Sequence, residues 1–272
     1  MKTLVLLTVS VLATIVSIPA MHVLVGLNRL IRTNFQGKQI PCGFGFVVVI
    51  AAVPAYITML LVRGVDLGVM LFGFTLTAFG TLGLLDDIYG TREAGGFLGH
   101  FGLLKKGRVS TGLIKAVVGG LLSLAVGGYV SGFRLTDTLI NALLITLFAN
   151  LLNLLDLRPG RAVSCYWIGM LVLLLVKHEK SQVWVSLLPT FLPTAVITTL
   201  DRSAKVMIGD AGSNALGALL GLSIACEASL VSKIIIIVLV SGIHAYSEVR
   251  SISRLIERHR ALRSVDRLLG VR

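Results

Sequence analysis

Asp86, Asp87, Asp156, Asp201 and Asp210 stand where long uncharged runs give way to short polar breaks. Carboxylates in such places hold cations or move protons. Asp86 and Asp87 close the third apolar run, which for a helix running inward is its carboxyl end. Two neighbouring anions there suffer both mutual repulsion and the negative pole of the macrodipole. A divalent cation or lysine neighbours would relieve them; a solvated loop start is the plainer alternative. Asn150, Asn153 and Asp156 recur at every third residue, a slowly rotating polar stripe that either bonds neighbouring helices or lines a polar ligand cavity. Asp210 lies in a small-residue segment, Met207 to Gly217, and reads either as a helix N-cap or as the holder of Mg²⁺ beside amides that receive phosphate. The break from Gly90 to Gly112 carries His100, Lys105, Lys106 and Arg108, with Lys115 just inside the next run. These bases are membrane anchors or phosphate ligands close in sequence to the aspartate pair. His244 and Glu248, four apart, form an interhelical pair or part of a site.

The elements that position these residues must be membrane helices. Of 272 residues, 55% are hydrophobic and only 14% charged, with a mean hydropathy of +0.91, which excludes a water-soluble domain. Uncharged stretches of roughly 15 to 20 residues, enough to cross about 30 Å of hydrocarbon, predict nine spans. They run Leu4 to Leu27, Phe44 to Val62, Leu67 to Leu85, Leu113 to Gly132, Thr138 to Leu155, Ala162 to Val176, Val183 to Leu200, Ala211 to Ala225 and Ile234 to Ser247. The fold class expected is all-α, a polytopic membrane helix bundle over residues 1–250 followed by a basic cytoplasmic tail, 251–272. The first run continues past the small residues Ser17 to Ala20, which favours a span over a cleaved leader. Cys42, Cys165 and Cys226 are odd in number and scattered, with no CxxC pair, and read as packing residues.

Orientation follows from basic residues in alternate breaks. Nineteen of the 25 Lys and Arg residues fall in one set and six in the other, placing the amino terminus outside and the carboxyl terminus inside. The five aspartates named above then share the cytoplasmic side. Acidic residues contribute little to topology, so their gathering on one face needs a separate cause, and one common site would supply it. A transporter would place ionisable residues near the bilayer midplane or show duplicated halves; the sequence shows neither.

In order along the chain, Gly37-Lys38-Gln39-Ile40-Pro41 with Gly43 and Gly45, Gly83-Leu84-Leu85-Asp86-Asp87, Gly112-Leu113-Ile114-Lys115, Asn150 to Asp156 as NxxNxxD, and Gly209-Asp210-Ala211-Gly212-Ser213 as GDxGS resemble motifs of one family. It is the polyprenyl-phosphate N-acetylhexosamine-1-phosphate transferases, the MraY and WecA type, and the likeness spans about Lys38 to Gly217. The resemblance implies a Mg²⁺-dependent enzyme of the bacterial plasma membrane. Such an enzyme transfers a sugar 1-phosphate from a UDP-sugar to polyprenyl (undecaprenyl) phosphate on the cytoplasmic face, releases UMP and starts a cell-envelope glycan. By the same resemblance Asp210 holds Mg²⁺, and Asp86 and Asp87 position or deprotonate the lipid phosphate. Lys38 and Asp156 face the nucleotide together with Asn150 and Asn153, and Lys115 faces a phosphate. The expected partners are the two substrates; a homodimer is compatible with the reading, and nucleic acid is not expected. This chain departs from the family pattern at Leu157, where glycine follows the NxxNxxD aspartate in relatives. It also lacks a clear counterpart of their late histidine-rich loop, and its nine expected spans compare with ten or eleven. A catalytically silent relative that binds lipid phosphate or a partner protein is the alternative.

Overall fold

The computed structural model of the protein describes residues 2–90, 110–176 and 182–270. Arg92, His100, Lys105, Lys106 and Arg108 of the basic break lie outside these, as do Lys177 and Lys180. The described chain is an all-α bundle with one small hairpin. Its helices are α1 (Lys2–Asn28), α2 (Val47–Arg63), α3 (Leu67–Tyr89), α4 (Thr111–Ser131), α5 (Leu135–Leu155), α6 (Arg161–Val176), α7 (Val183–Arg202), α8 (Gly209–Glu227), α9 (Leu230–Val249), α10 (Ile252–Arg258) and α11 (Arg260–Leu269). Between α1 and α2 the strands β1 (Ile31–Thr33) and β2 (Gln39–Pro41) pair antiparallel, Arg32 opposite Ile40.

Among the described residues seven helices are long and apolar enough to cross a membrane: α1, α2 with its preceding 3₁₀ turn, α3, α4, α5, α7 and α9. Of the other two predicted spans, α6 is apolar but shorter. The remaining one, α8, differs in kind. Nearly all of its residues are buried, because it runs through the middle of the bundle, packed chiefly on α3 and α5 with α6 beside them. Its small residues explain that position. A Cβ on Gly221 would stand 2.7 Å from Ile145 Cα and one on Gly217 2.6 Å from Ala149 Cα, so only glycine lets the α5 and α8 backbones approach this closely. The opposite case is α9, where Val240 alone is buried.

Helix ends follow local chemistry. The Asp66 side chain caps α3, accepting from Val69 N–H at 3.0 Å, and Ser110 caps α4 by accepting from Leu113 N–H at 3.3 Å. The hairpin turn is organised by Asn34, whose Oδ1 accepts from Gln36 N–H at 2.9 Å and Lys38 N–H at 3.0 Å, an Asx-type turn absent from the all-helical expectation. Beyond β2 the chain docks on the approach to α8. Met207 N–H donates to Pro41 O at 2.7 Å, Phe44 N–H to Met207 O at 3.0 Å and Gly45 N–H to Ile208 O at 2.9 Å. Two segments far apart in sequence are thereby locked together at one end of the bundle.

Candidate active site

The start of α8 organises this end. A helix leaves its first N–H groups without intrahelical partners, and here carboxylates from three other segments take them. Asp87, in the last turn of α3, accepts from Asp210 N–H at 3.1 Å and from Ala211 N–H at 2.9 Å. Asp156, just past α5, is held to Gly209 N–H, and Asp201, in the last turn of α7, to Ile208 N–H. Asp201 also accepts from Gly160 N–H at 2.8 Å. The positive pole of α8 thus gathers three of the five aspartates. Two expectations change. Asp210 is not the cap of its own helix, and the amides at this helix start are occupied by carboxylates, so they do not stand exposed to receive phosphate. Gly209, with φ of +66°, supplies the left-handed backbone that turns the chain into the helix. The Cβ it lacks would sit 2.7 Å from Asp87 Oδ2.

Freed from capping, the Asp210 side chain meets Lys115. The ammonium lies 2.9 Å from Asp86 Oδ2 and also pairs with Asp210 Oδ2, and Asn153 Nδ2 donates to Asp210 Oδ2 at 3.1 Å. Side-chain exposures of 19% for Lys115, 18% for Asp86 and 26% for Asp210 leave this group open at one edge. The third helix continues to Tyr89, so the aspartate pair sits within a helix turn and not at a loop start. The two carboxylates are relieved separately, Asp86 by lysine and Asp87 by amides. Adjacent helical side chains diverge by about 100°, which permits such a division.

Asp156 lines a cleft with Asn34, Phe35, Arg158, Pro159, Asp201 and Met207. Burial first, and then the nearby Asp201, Asp210 and Asp87 carboxylates, push the Asp156 carboxyl well above the usual carboxylate range, with the Gly209 N–H pulling the other way. Arg158 stacks its guanidinium 5.1 Å over the Phe35 ring. The buried Nδ2 of Asn34 has no partner within the described protein. Cys42 lies beside this group with its thiol pushed up, by burial and then by Asp87 and Asp156, which makes it unreactive.

Of the residues singled out from sequence, Asp86, Asp87, Lys115, Asn153, Asp156 and Asp210 are brought together. Asn150 and Lys38 are not. Asn150 points at α9, where its Nδ2 lies 3.3 Å from His244 Nδ1 while His244 Nε2 donates to Leu147 O at 3.1 Å. That is the interhelical bonding alternative, and it accounts for His244 as well. The reason is geometric: residues three apart fall about 60° short of a full turn, so over six residues the stripe swings from one neighbouring helix to the next. Lys38 is exposed on the hairpin. Sequence reasoning did not single out Asn34, Phe35 or the pairing of Asp201 with Gly160; the Asn34-Phe35-Gln36-Gly37 turn chemistry was the available signal for the first two.

Among the described residues no group of three His, Cys, Asp or Glu side chains could hold a metal by itself. Asp86 and Asp210 supply hard oxygen donors around one ammonium. That set fits Mg²⁺, which is bound through one or two carboxylates completed by substrate phosphates and water. No family model matches the chain, and no curated protein is similar to it.

Proposed function

We propose that this protein is a phosphoglycosyltransferase of the polyprenyl-phosphate N-acetylhexosamine-1-phosphate transferase type, with its site on the cytoplasmic face of a bacterial plasma membrane. An oxygen of the lipid phosphate would attack the sugar-bearing phosphorus of a UDP-sugar, the bond from that phosphorus to the UMP oxygen would break, and UMP would leave. One observation carries the reading. Asp86, Lys115, Asn153 and Asp210, on four helices and in four separate motif segments, share one cluster that is partly open at the end of a membrane bundle.

The contacts support a division of roles. Asp86 and Asp210 would hold Mg²⁺, which when bound offsets the charge of the diphosphate. Lys115 balances the same carboxylates and is placed to take a phosphate oxygen in their stead. Asp86, bonded to the Lys115 ammonium, is better suited than Asp87 to meet the lipid phosphate, because both oxygens of Asp87 are committed to backbone amides. Asp156, with Phe35 and Arg158, would face the nucleotide. The orientation with the amino terminus outside belongs to this proposal, as does the nine-span count.

The silent-relative reading has its own support: the cluster is internally satisfied, with carboxylates meeting lysine or amides, and Leu157 stands at the departing position. One assay separates the two. Detergent-purified protein with radiolabelled UDP-N-acetylhexosamines and undecaprenyl phosphate is expected to release UMP and form a lipid-linked sugar with Mg²⁺, and neither in excess EDTA. Turnover in EDTA would remove the metal from the proposal. No turnover with any UDP-sugar would establish the silent relative.

A further inference from the structure

The last described helix, α11, carries more apolar surface than an element in water should. Ala261, Leu262, Val265, Leu268 and Leu269 fall within an arc of about 120° and Arg260, Arg263 and Arg267 lie opposite, at about 100° per residue. Leu262, Val265 and Leu268 are 45%, 49% and 76% exposed. The flank between the two arcs is fastened to the bundle. Asp266, buried, accepts from Arg161 Nε at 2.7 Å and Nη2 at 2.9 Å, Arg161 Nη1 donates to Ser253 Oγ at 2.8 Å, and Arg202 Nη2 donates to Leu268 O at 2.8 Å. A bidentate buried pair of this kind fixes rotation as well as position. It pins α11 at the starting end of α6, whose Ile168, Leu171, Val172 and Leu175 are exposed along the outer wall of the bundle.

We infer that α11 lies in the plane of the membrane and binds the anionic surface of the leaflet at the site end. Leu262, Val265 and Leu268 enter the acyl boundary, and the arginines on the opposite face are drawn by the negative potential of the anionic headgroups. Charge complementarity selects this occupant. The tail from Arg250 onward holds seven arginines against two carboxylates, Glu257 and Asp266, and Asp266 is consumed by Arg161. Apolar residues on one face and arginines on the other are the pattern of an interfacial helix. A helix of about 10 Å diameter keeps those arginines within one Debye length of the headgroups. The inference depends on the chain spanning a membrane and on nothing in the proposed chemistry.

A photo-crosslinking amino acid at position 262, 265 or 268 of the full chain, in nanodiscs containing phosphatidylglycerol, tests it. Phospholipid adducts are expected by mass at all three positions and not at 263. Adduct yield should fall about fivefold for each arginine neutralised as Arg260→Gln, Arg263→Gln or Arg267→Gln, and comparably when phosphatidylcholine replaces the anionic lipid. Unchanged melting temperatures of the arginine variants would show that the Arg161–Asp266 clasp persists. Crosslinks to a second copy of the chain, no adducts at any position, or yields indifferent to headgroup charge would each overturn the inference.

Discussion

Asp86 and Asp87 are neighbours in the chain with different surroundings, and their substitution by asparagine should separate them. In Asp87→Asn one acceptor oxygen becomes a donor amide aimed at backbone N–H groups. The expected cost is about 1 to 3 kcal/mol of stability, seen as a lower melting temperature in detergent. Asp86→Asn is expected to keep the fold and, in the proposed reaction, to lower kcat without rescue by added UDP-sugar, because Asp86 pairs with Lys115 and would meet the lipid phosphate there. Asp156 adds a pH dependence. Its carboxyl is raised by burial and by three other carboxylates, so the stability it contributes is complete below the unfolded value of about 4 and is lost as pH rises through the folded value. Asp156→Asn should therefore flatten the fall in melting temperature as pH rises above about 4. If Asp156 faces the nucleoside as proposed, its loss should chiefly raise KM for the UDP-sugar.

At the scale of elements, α8 depends on close approach and on borrowed caps. Gly221→Val would drive side-chain atoms into the Ile145 backbone and is expected to cost about 3 kcal/mol through forced separation of the helices. Gly120→Ala on α4, where no atom lies within 4 Å of the added methyl, should be neutral or slightly stabilising, since alanine is the better helix former. Thermal unfolding of both variants in one detergent checks the contrast. Equal effects would mean that the α5–α8 contact is looser than the backbone distances require. The nine-span expectation counted α8 as one more apolar run, but its surroundings are α3, α5 and α6 in place of lipid. The absence of charge over a long run cannot make that distinction, because a buried helix can be as free of charge as a lipid-facing one.

For the whole molecule, the asymmetry of basic residues fixes the expected sidedness. With Cys226 replaced by alanine, an impermeant thiol reagent applied to intact cells should label a cysteine at position 181 and leave one at 107 or 270 unlabelled. Labelling at 270 from outside would invert the protein and place the aspartate cluster on the opposite face. The tail, read from sequence as a basic appendage, instead returns to the bundle through Arg161, Arg202 and Arg158, the last of which meets Glu257 at 3.5 Å. The carboxyl-terminal helices therefore lie over the α5–α6 turn that follows Asp156.

The sequence by itself determined that this is a helical membrane protein, since continuous apolar runs have no other stable disposition, and that Asp86, Asp87, Asp156, Asp201 and Asp210 gather at one end. It also marked Lys115, Asn153 and Asp210, because polar residues at span ends are few and each needs a partner. It did not determine which carboxylate meets which partner. That Asp87, Asp156 and Asp201 serve the amides of α8 while Asp86 and Asp210 share a lysine depends on helix rotation and on α8 lying at the centre. Both are set by glycine contacts between backbones far apart in the chain. Asn150 turned to another helix for the same reason: spacing along one helix gives the angle between side chains, but only the packing of its neighbours decides what stands at that angle.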